Sequence, residues 1–223
     1  MKRLLFSAIA FALLMVSVPA RAQYYEIANQ IPGLLSPALS GGLNYKGYVD
    51  FSGTAGIGDN RANFIGISTS QGFKYASWFF MGVGLGVDVA MSQGHDLLGT
   101  EPPEDPYDYY ETTKTKVMIP VFTDFRFNLG NESTVSAFID LKVGAAWLLG
   151  SSYLRMENAY LSNETQFYLK PTIGVRIPVN TKNNRQAFNV GISYQLLTSN
   201  HNYYWKSGSV TMNNVGVTIG YEW

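Results

Sequence analysis

The chain of 223 residues contains no cysteine, only two histidines and few charged residues, which make up 14% of the sequence. Without cysteine, neither a disulfide framework nor a lipid anchor on an N-terminal cysteine is available. After residue 22, no apolar run approaches the roughly 18 residues that a membrane-spanning helix needs. These absences exclude a disulfide-rich secreted domain, a lipoprotein and a helical membrane protein.

The first 22 residues are predicted to be a secretory signal peptide. An apolar run follows Lys2 and Arg3, and Ala20-Arg21-Ala22 matches a small-x-small cleavage site. We expect cleavage near Ala22. Removing the three basic residues of this segment leaves 13 of the 16 basic residues against 16 acidic ones. This mildly acidic balance gives no support for nucleic-acid binding.

Alternation with a period of two dominates the rest of the chain, and the last segment shows it best. One set of alternate positions is apolar: Val215, Val217, Ile219, Tyr221 and Trp223. The other set is small or polar: Asn214, Gly216, Thr218, Gly220 and Glu222. A period of two is the strand repeat, so each set occupies one face of a strand.

Eight segments with this pattern predict an all-β fold, an eight-stranded antiparallel up-and-down transmembrane β-barrel. An even number of strands that closes on itself leaves no unpaired edge in lipid. We expect a periplasmic N-terminal lead over residues 23–42 and the outer-membrane barrel over residues 43–223. The predicted strands cover residues 43–57, 63–73, 78–92, 114–127, 134–149, 165–179, 187–198 and 209–223.

The charged residues of these segments share the parity that opposes the apolar face, which predicts that they point into the lumen. A Lys or Arg that faced lipid near the bilayer midplane would cost about 2–4 kcal/mol. In so narrow a barrel the charges are expected to pair and to close the lumen. The predicted network comprises Lys46, Asp50, Asp88, Asp124, Arg126, Asp140, Lys142, Lys170 and Arg176, with Glu222 at the rim.

With these features in hand, the chain resembles small eight-stranded outer-membrane β-barrels, the "porin family" with OmpA/OmpX-type architecture. The motifs that carry the resemblance are residues 43–48 (LNYKGY), 79–88 (FFMGVGLGVD) and 216–223 (GVTIGYEW). It implies a bacterial outer-membrane location and contact with membrane lipid and lipopolysaccharide. It also implies insertion by the barrel-assembly machinery, which would read a C-terminal signal that includes Ile219, Tyr221 and Trp223. The resemblance implies no chemistry and no cofactor.

Three rival functions stay open at this point. The first is a channel for small solutes or ions, and the second is a soluble barrel with its apolar faces turned inward. The third is a lipid A-modifying enzyme, because some similar barrels use a His with a Ser or an acidic partner. Such an enzyme would draw on His95 or His201 with Ser92, Asp96, Ser199 or Ser207. We favour a structural or surface-interaction protein that is not an enzyme.

Several connecting segments are candidates for surface contacts. Residues 93–113 carry six carboxylates, which could hold Ca²⁺ or Mg²⁺, but the spacing fits no EF-hand and three prolines favour a solvated loop. Residues 199–208 combine aromatic and amide side chains that suit a glycan, a protein partner or an aromatic belt at the membrane surface. Residues 23–42 are either a lead that tucks against the barrel or a docking segment for a protein partner.

Overall fold

The structure is a computed structural model that describes residues 44–58, 60–92, 112–113, 115–150, 153–156, 160–161, 164–180, 183–203 and 206–223. No helix in these residues is long and apolar enough to cross a membrane. The described strands are β1 (Asn44–Ile57), β2 (Ala62–Ala76), β3 (Phe79–Ser92), β4 (Thr112–Thr113), β5 (Thr115–Leu129), β6 (Ser136–Leu148), β7 (Tyr153–Arg155), β8 (Tyr160–Leu161), β9 (Gln166–Asn180), β10 (Asn183–Tyr203) and β11 (Lys206–Glu222).

Eight of these strands form a closed barrel in the order β1-β11-β10-β9-β6-β5-β3-β2. Each barrel strand pairs antiparallel with the next one along the chain, and β1 pairs with β11 to close the ring. The closing seam runs from Tyr48 opposite Glu222 to Ile57 opposite Asn213. Gly47 and Trp223 extend this seam with two backbone hydrogen bonds of 3.2 and 3.1 Å. The predicted eight-stranded antiparallel fold is confirmed.

The two ends of the barrel differ in their connections. The end called here the loop end carries the connections β1–β2, β3–β5, β6–β9 and β10–β11. The other end, called the turn end, carries the remaining three connections, the start of β1 and the C-terminal residue. At the loop end, Gly58 and Gly150 have φ angles of +85° and +91°, a left-handed conformation that glycine adopts without a steric penalty.

Alternate residues of each barrel strand point inward and outward. In β1, for example, Phe51 is 55% exposed on the outer surface, whereas Asp50 and Ser52 on either side of it are buried inside. The large exposed hydrophobic residues lie at outward positions, including Ile67, Ile173, Ile192 and Val217. The outer surface of the barrel is therefore apolar, and polar residues are enriched in the interior.

The structure departs from the predicted segments at the loop end. Residues 199–208 were predicted to be a loop, yet β10 and β11 stay paired up to Tyr203 opposite Lys206. The predicted loops 93–113 and 150–164 contain β4, β7 and β8, which form a separate three-stranded sheet. These short strands lack the alternation of a barrel strand, and such a pattern needs more than two or three residues to be recognised.

Candidate functional site

The interior of the barrel is the candidate site, because the charged side chains of the described strands converge there. The ten residues that the sequence places in the lumen are all at most 5% exposed. Period-two alternation brings them inward from β1, β3, β5, β6, β9 and β11. Charges buried this deeply are stable only when partners compensate for the loss of water. The arrangement of those partners therefore decides what the lumen can do.

A central group of four charges spans the lumen. Oδ2 of Asp50 in β1 accepts a hydrogen bond from Lys142 Nζ at 2.6 Å and another from Arg126 Nη2 at 3.1 Å. Arg126 Nη2 also donates to Asp140 Oδ2 at 2.9 Å. The guanidinium carbon of Arg126 lies 4.0 Å from the centre of the Tyr48 ring, within reach of a cation–π interaction. Because β1 is not adjacent to β5 or β6, these pairs cross the lumen.

A second group lies at the turn end around Glu222. Its Oε1 atom accepts hydrogen bonds from Lys46 Nζ at 2.6 Å and from Arg176 Nη2 at 2.5 Å. Arg176 Nη1 donates in addition to the backbone carbonyl of Glu132, which belongs to the β5–β6 turn, at 2.7 Å. The Glu132 carboxylate also pairs with Lys74. The turn is thereby held across the turn end of the barrel by charged side chains.

Three of the predicted lumen residues stand outside these two groups. Lys170 donates to the hydroxyl of Ser52 across the lumen at 2.6 Å. Asp88 and Asp124 are buried, and neither takes part in an ion pair within the described part of the chain. The structure therefore brings seven of the ten predicted residues into two ion-paired groups and leaves the other three beside them.

Two buried lysines of the interior were missed by the sequence analysis. Lys74 lies one residue beyond the predicted end of its strand, because β2 continues to Ala76. Lys116 lies two residues before Met118 and shares its inward parity, so the alternation could have identified it. Both lysines are less than 10% exposed. The interior therefore holds more positive charge than the predicted set of five cations.

The interior is not polar throughout. At the loop end, inward residues of seven strands form one buried apolar cluster with three residues of the β6–β9 connection. We call this cluster the apolar mouth. Its wall residues are Ala62, Phe64, Ala90, Met118, Phe122, Ala146, Leu148, Tyr168, Leu197 and Met212, and its covering residues are Leu154, Met156 and Leu161.

Inward glycines make room for the larger groups of the lumen. A Cβ atom at Gly84 would lie 2.5 Å from Cε2 of Phe122. At Gly82 it would lie 2.7 Å from Cζ of Phe80. Real Cβ contacts are not this close, so the aromatic rings occupy the space that the glycines leave.

The residues of the proposed C-terminal signal face outward. Ile219 and Trp223 are exposed, and Tyr221 stacks on Trp223 with ring centroids 6.3 Å apart. A second aromatic group lies on the outer surface at the turn end, where Phe79 packs against Phe127 and Trp78. These rings form a partial aromatic belt at this end of the barrel, a position that suits a membrane–water interface.

Several sequence-based candidates lie outside what the structure describes. These are residues 23–42, His95, Asp96 and the acidic residues of 93–111, together with the side chains of Ser92, His201 and Ser207. Ser199 is described and is buried. In the residues that are described, no three His, Asp or Glu side chains are grouped so that they could hold a metal ion.

The chain matches no family model, and no curated protein matches its sequence. Solved structures similar to it include Neisserial surface protein A (NspA), with 10% identity, TM-score 0.48, and coverage of 80% of this chain and 95% of that one. Another is the outer membrane enzyme PagL, with 14% identity, TM-score 0.46, and coverage of 77% and 97%. A third is the N-terminal β-barrel domain of Pseudomonas aeruginosa OprF, with 8% identity, TM-score 0.40, and coverage of 81% and 99%. The closed eight-stranded barrel confirms the predicted resemblance to small outer-membrane barrels at the level of the fold.

Proposed function

We propose that this protein is an integral outer-membrane barrel with a structural or surface-interaction role, and that buried ion pairs close its lumen. The observation that carries this proposal is the polarity of the barrel, with large apolar side chains outside and ion-paired charges inside. An apolar surface that runs around a whole barrel is unfavourable in water, and lipid is the solvent that suits it. Closure of the ring pairs the strand backbones, which lipid also requires.

The hairpin at the loop end supports a role at the cell surface. Pairing of β10 with β9 ends at Thr198, and pairing of β11 with β1 ends at Asn213. The two strands then continue together to Tyr203 and Lys206. At about 3.3 Å per residue, the five residues of β10 beyond Thr198 extend roughly 17 Å past the paired wall. A projecting hairpin of this kind is suited to contact a partner outside the membrane.

The location and the partners follow from the same proposal. The predicted signal peptide supports export, and the alternating strands with a C-terminal aromatic residue support insertion by the barrel-assembly machinery. The outer surface would contact membrane lipid and lipopolysaccharide, and a protein partner would bind at the loops or the N-terminal lead. Neither a cofactor nor a catalytic role is part of this proposal.

The lipid-facing assignment is tested by an arginine at the centre of the barrel wall. Ile192 is 64% exposed and pairs with Ile173 on the neighbouring strand. Ile192→Arg is expected to lower the folding stability in phosphatidylcholine vesicles by about 2–4 kcal/mol, and Thr115→Arg near the loop end by only about 0–1 kcal/mol. Gel mobility with and without heating measures the folded fraction. Equal effects of the two variants, or a wild-type protein that stays soluble without detergent, would contradict the proposal.

The closed lumen is tested by planar-bilayer recordings of the refolded wild-type protein. We expect no steady conductance, because the central ion pairs cross the lumen. A steady single-channel conductance would reject the closed lumen and favour the alternative function, a channel for ions or small solutes. Recording at two voltages of opposite sign separates a true channel from transient defects of the bilayer.

A further inference from the structure

The wall of the apolar mouth is made of uncharged residues, although one buried cation, Lys116 of β5, lies opposite Ala90 at its edge. Of the eight barrel strands, only β1 contributes no residue to it. The positions of the other seven strands belong to the inward parity, which further down β5 and β6 carries Asp124, Asp140 and Lys142. From mid-height towards the loop end these two rows change from charged residues to Phe122, Met118, Ala146 and Leu148, and only Lys116 at the end of β5 departs from this change among the described residues. Water is less stable against the apolar part of the wall than at mid-height.

The β6–β9 connection covers this wall with its own apolar side chains. Leu154 and Leu161 are fully buried, and Met156 is 3% exposed, although all three lie between two barrel strands. Leu154 and Leu161 are direct partners in the antiparallel pair formed by β7 and β8. The short β4 strand pairs with β7 as well, which ties the β3–β5 connection to the same cover.

A constriction lined by apolar side chains blocks water and ions by dewetting and needs no charged group. Burial of the two leucines in the mouth stabilises the covered state through the apolar surface that both sides remove from water. The mouth and the ion-paired groups are therefore two barriers of different chemistry, one above the other.

We propose that Leu154, Met156 and Leu161 of the β6–β9 connection form a hydrophobic lid that seals the loop end of the barrel independently of the ion pairs below. This inference rests on the proposed membrane barrel and deepens it, because it assigns a second closure to the lumen. With the lid seated, the ion-paired groups are shielded from the loop end. With the lid displaced, water reaches the apolar wall but is still stopped by the charges.

Single cysteines test the lid in a chain that has no cysteine of its own. Ala146→Cys places a thiol in the wall of the mouth, Ser70→Cys places one at another fully buried, inward position, and Ser209→Cys provides an exposed control. Each is refolded into vesicles and labelled with a charged, membrane-impermeant methanethiosulfonate reagent. We expect fast labelling at Ser209→Cys and slow labelling at the two buried sites.

The double variant Leu154→Ser with Leu161→Ser is expected to speed labelling of Ala146→Cys by at least about tenfold. Burial of one leucine side chain stabilises the covered state by more free energy than a tenfold change in the population of the open state corresponds to. The conservative Leu154→Met is expected to leave this labelling slow, and labelling of Ser70→Cys is expected to stay slow throughout. Gel mobility before heating establishes that each variant is folded, and a Leu154→Ala variant replaces the double serine variant if that one does not fold.

Fast labelling of Ala146→Cys with the lid intact would overturn the lid, as would slow labelling in a folded variant whose lid is disrupted. These outcomes are separate from the test of the proposed function. A wild-type protein that conducts steadily refutes the closed lumen whatever the labelling shows. A failed lid with a silent wild-type protein refutes only the lid.

Discussion

The two ends of the lumen are lined mainly by residues of opposite chemistry. At the turn end, Arg176 and Lys46 converge on Glu222, and Arg176 also holds the β5–β6 turn through the carbonyl of Glu132. At the loop end, Leu154 and Leu161 of the β6–β9 connection are buried against apolar wall residues. Ion pairs require particular partners at particular distances, whereas apolar contacts are not directional. The turn end is therefore sensitive to the loss of one partner, and the loop end to the loss of volume.

The largest expected effect comes from breaking a charge pair inside the barrel. Arg126→Met removes the 2.9 Å partner of Asp140, which keeps only Lys142 at 3.9 Å, and it removes one of the two cations on Asp50. Because a buried carboxylate then keeps only this longer contact, we expect a loss of about 3–5 kcal/mol in the free energy of unfolding. Urea titration in vesicles, followed by tryptophan fluorescence, measures it.

The double variant Arg126→Met with Asp140→Leu serves as the control. It removes both members of one pair while Lys142 stays on Asp50, so it is expected to be less destabilised than the single variant. Losses that simply add in the double variant would show that burial of volume, and not charge pairing, stabilises the centre of the lumen.

A somewhat smaller loss is expected when volume is removed from the apolar mouth. Leu148 is buried in its wall, whereas the next residue, Leu149, is 52% exposed on the outside. Leu148→Ala is expected to cost about 2–5 kcal/mol through lost burial and a cavity. Leu149→Ala is expected to cost less, because its side chain has little packing to lose. Comparable costs measured by the same urea titration would contradict the inward apolar wall.

The smallest expected effect concerns the ion pair between Lys74 and Glu132 at the turn end. The Glu132 side chain is 23% exposed, so solvent screens this pair more than the central ones. Glu132→Gln keeps the backbone carbonyl that binds Arg176 and is expected to cost about 0–1 kcal/mol, less at high salt. Unfolding at 0.05 and 1 M NaCl, with Arg126→Met for comparison, measures the difference. A loss of stability above about 1 kcal/mol that does not change with salt would show that the Lys74–Glu132 pair is as well shielded from solvent as the central ion pairs.

The facing of the strands could be predicted from the sequence. Strict alternation over a dozen residues leaves only two possible assignments of which face points outward. The charged residues decide between the two assignments, because charged side chains are excluded from lipid. Phe51 outside and Asp50 inside follow from this reasoning alone. The same reasoning predicts that Lys116 also points inward. The inward position of Lys74 is harder to predict, because it lies near the end of its strand and strand ends are marked less clearly in the sequence than strand centres.

The pairing of charges could not be predicted. Arg126 contacts Asp50, which is 76 residues away in sequence, and Lys142 contacts the same carboxylate from 92 residues away. Alternation predicts that both cations point inward, but it does not predict with which anion each cation forms an ion pair. That choice depends on how the strands are staggered around the ring, which sets the heights of the side chains in the lumen.

The apolar mouth could not be predicted from the sequence for a related reason. Phe64, Met118, Leu197 and Met212 each look like an exception within a polar row, and no single strand carries enough of them to form a pattern. They become one cluster only when seven strands and a connection meet.

The sequence by itself determined the strand content, the outward apolar face and the inward position of the charges, because these depend on a local repeat and on the polarity of the solvent on each side. Only the tertiary structure decided the ion-pair partners and the apolar cluster at the loop end. Both depend on contacts between residues far apart in the chain, and such contacts exist only once the barrel has closed in one register.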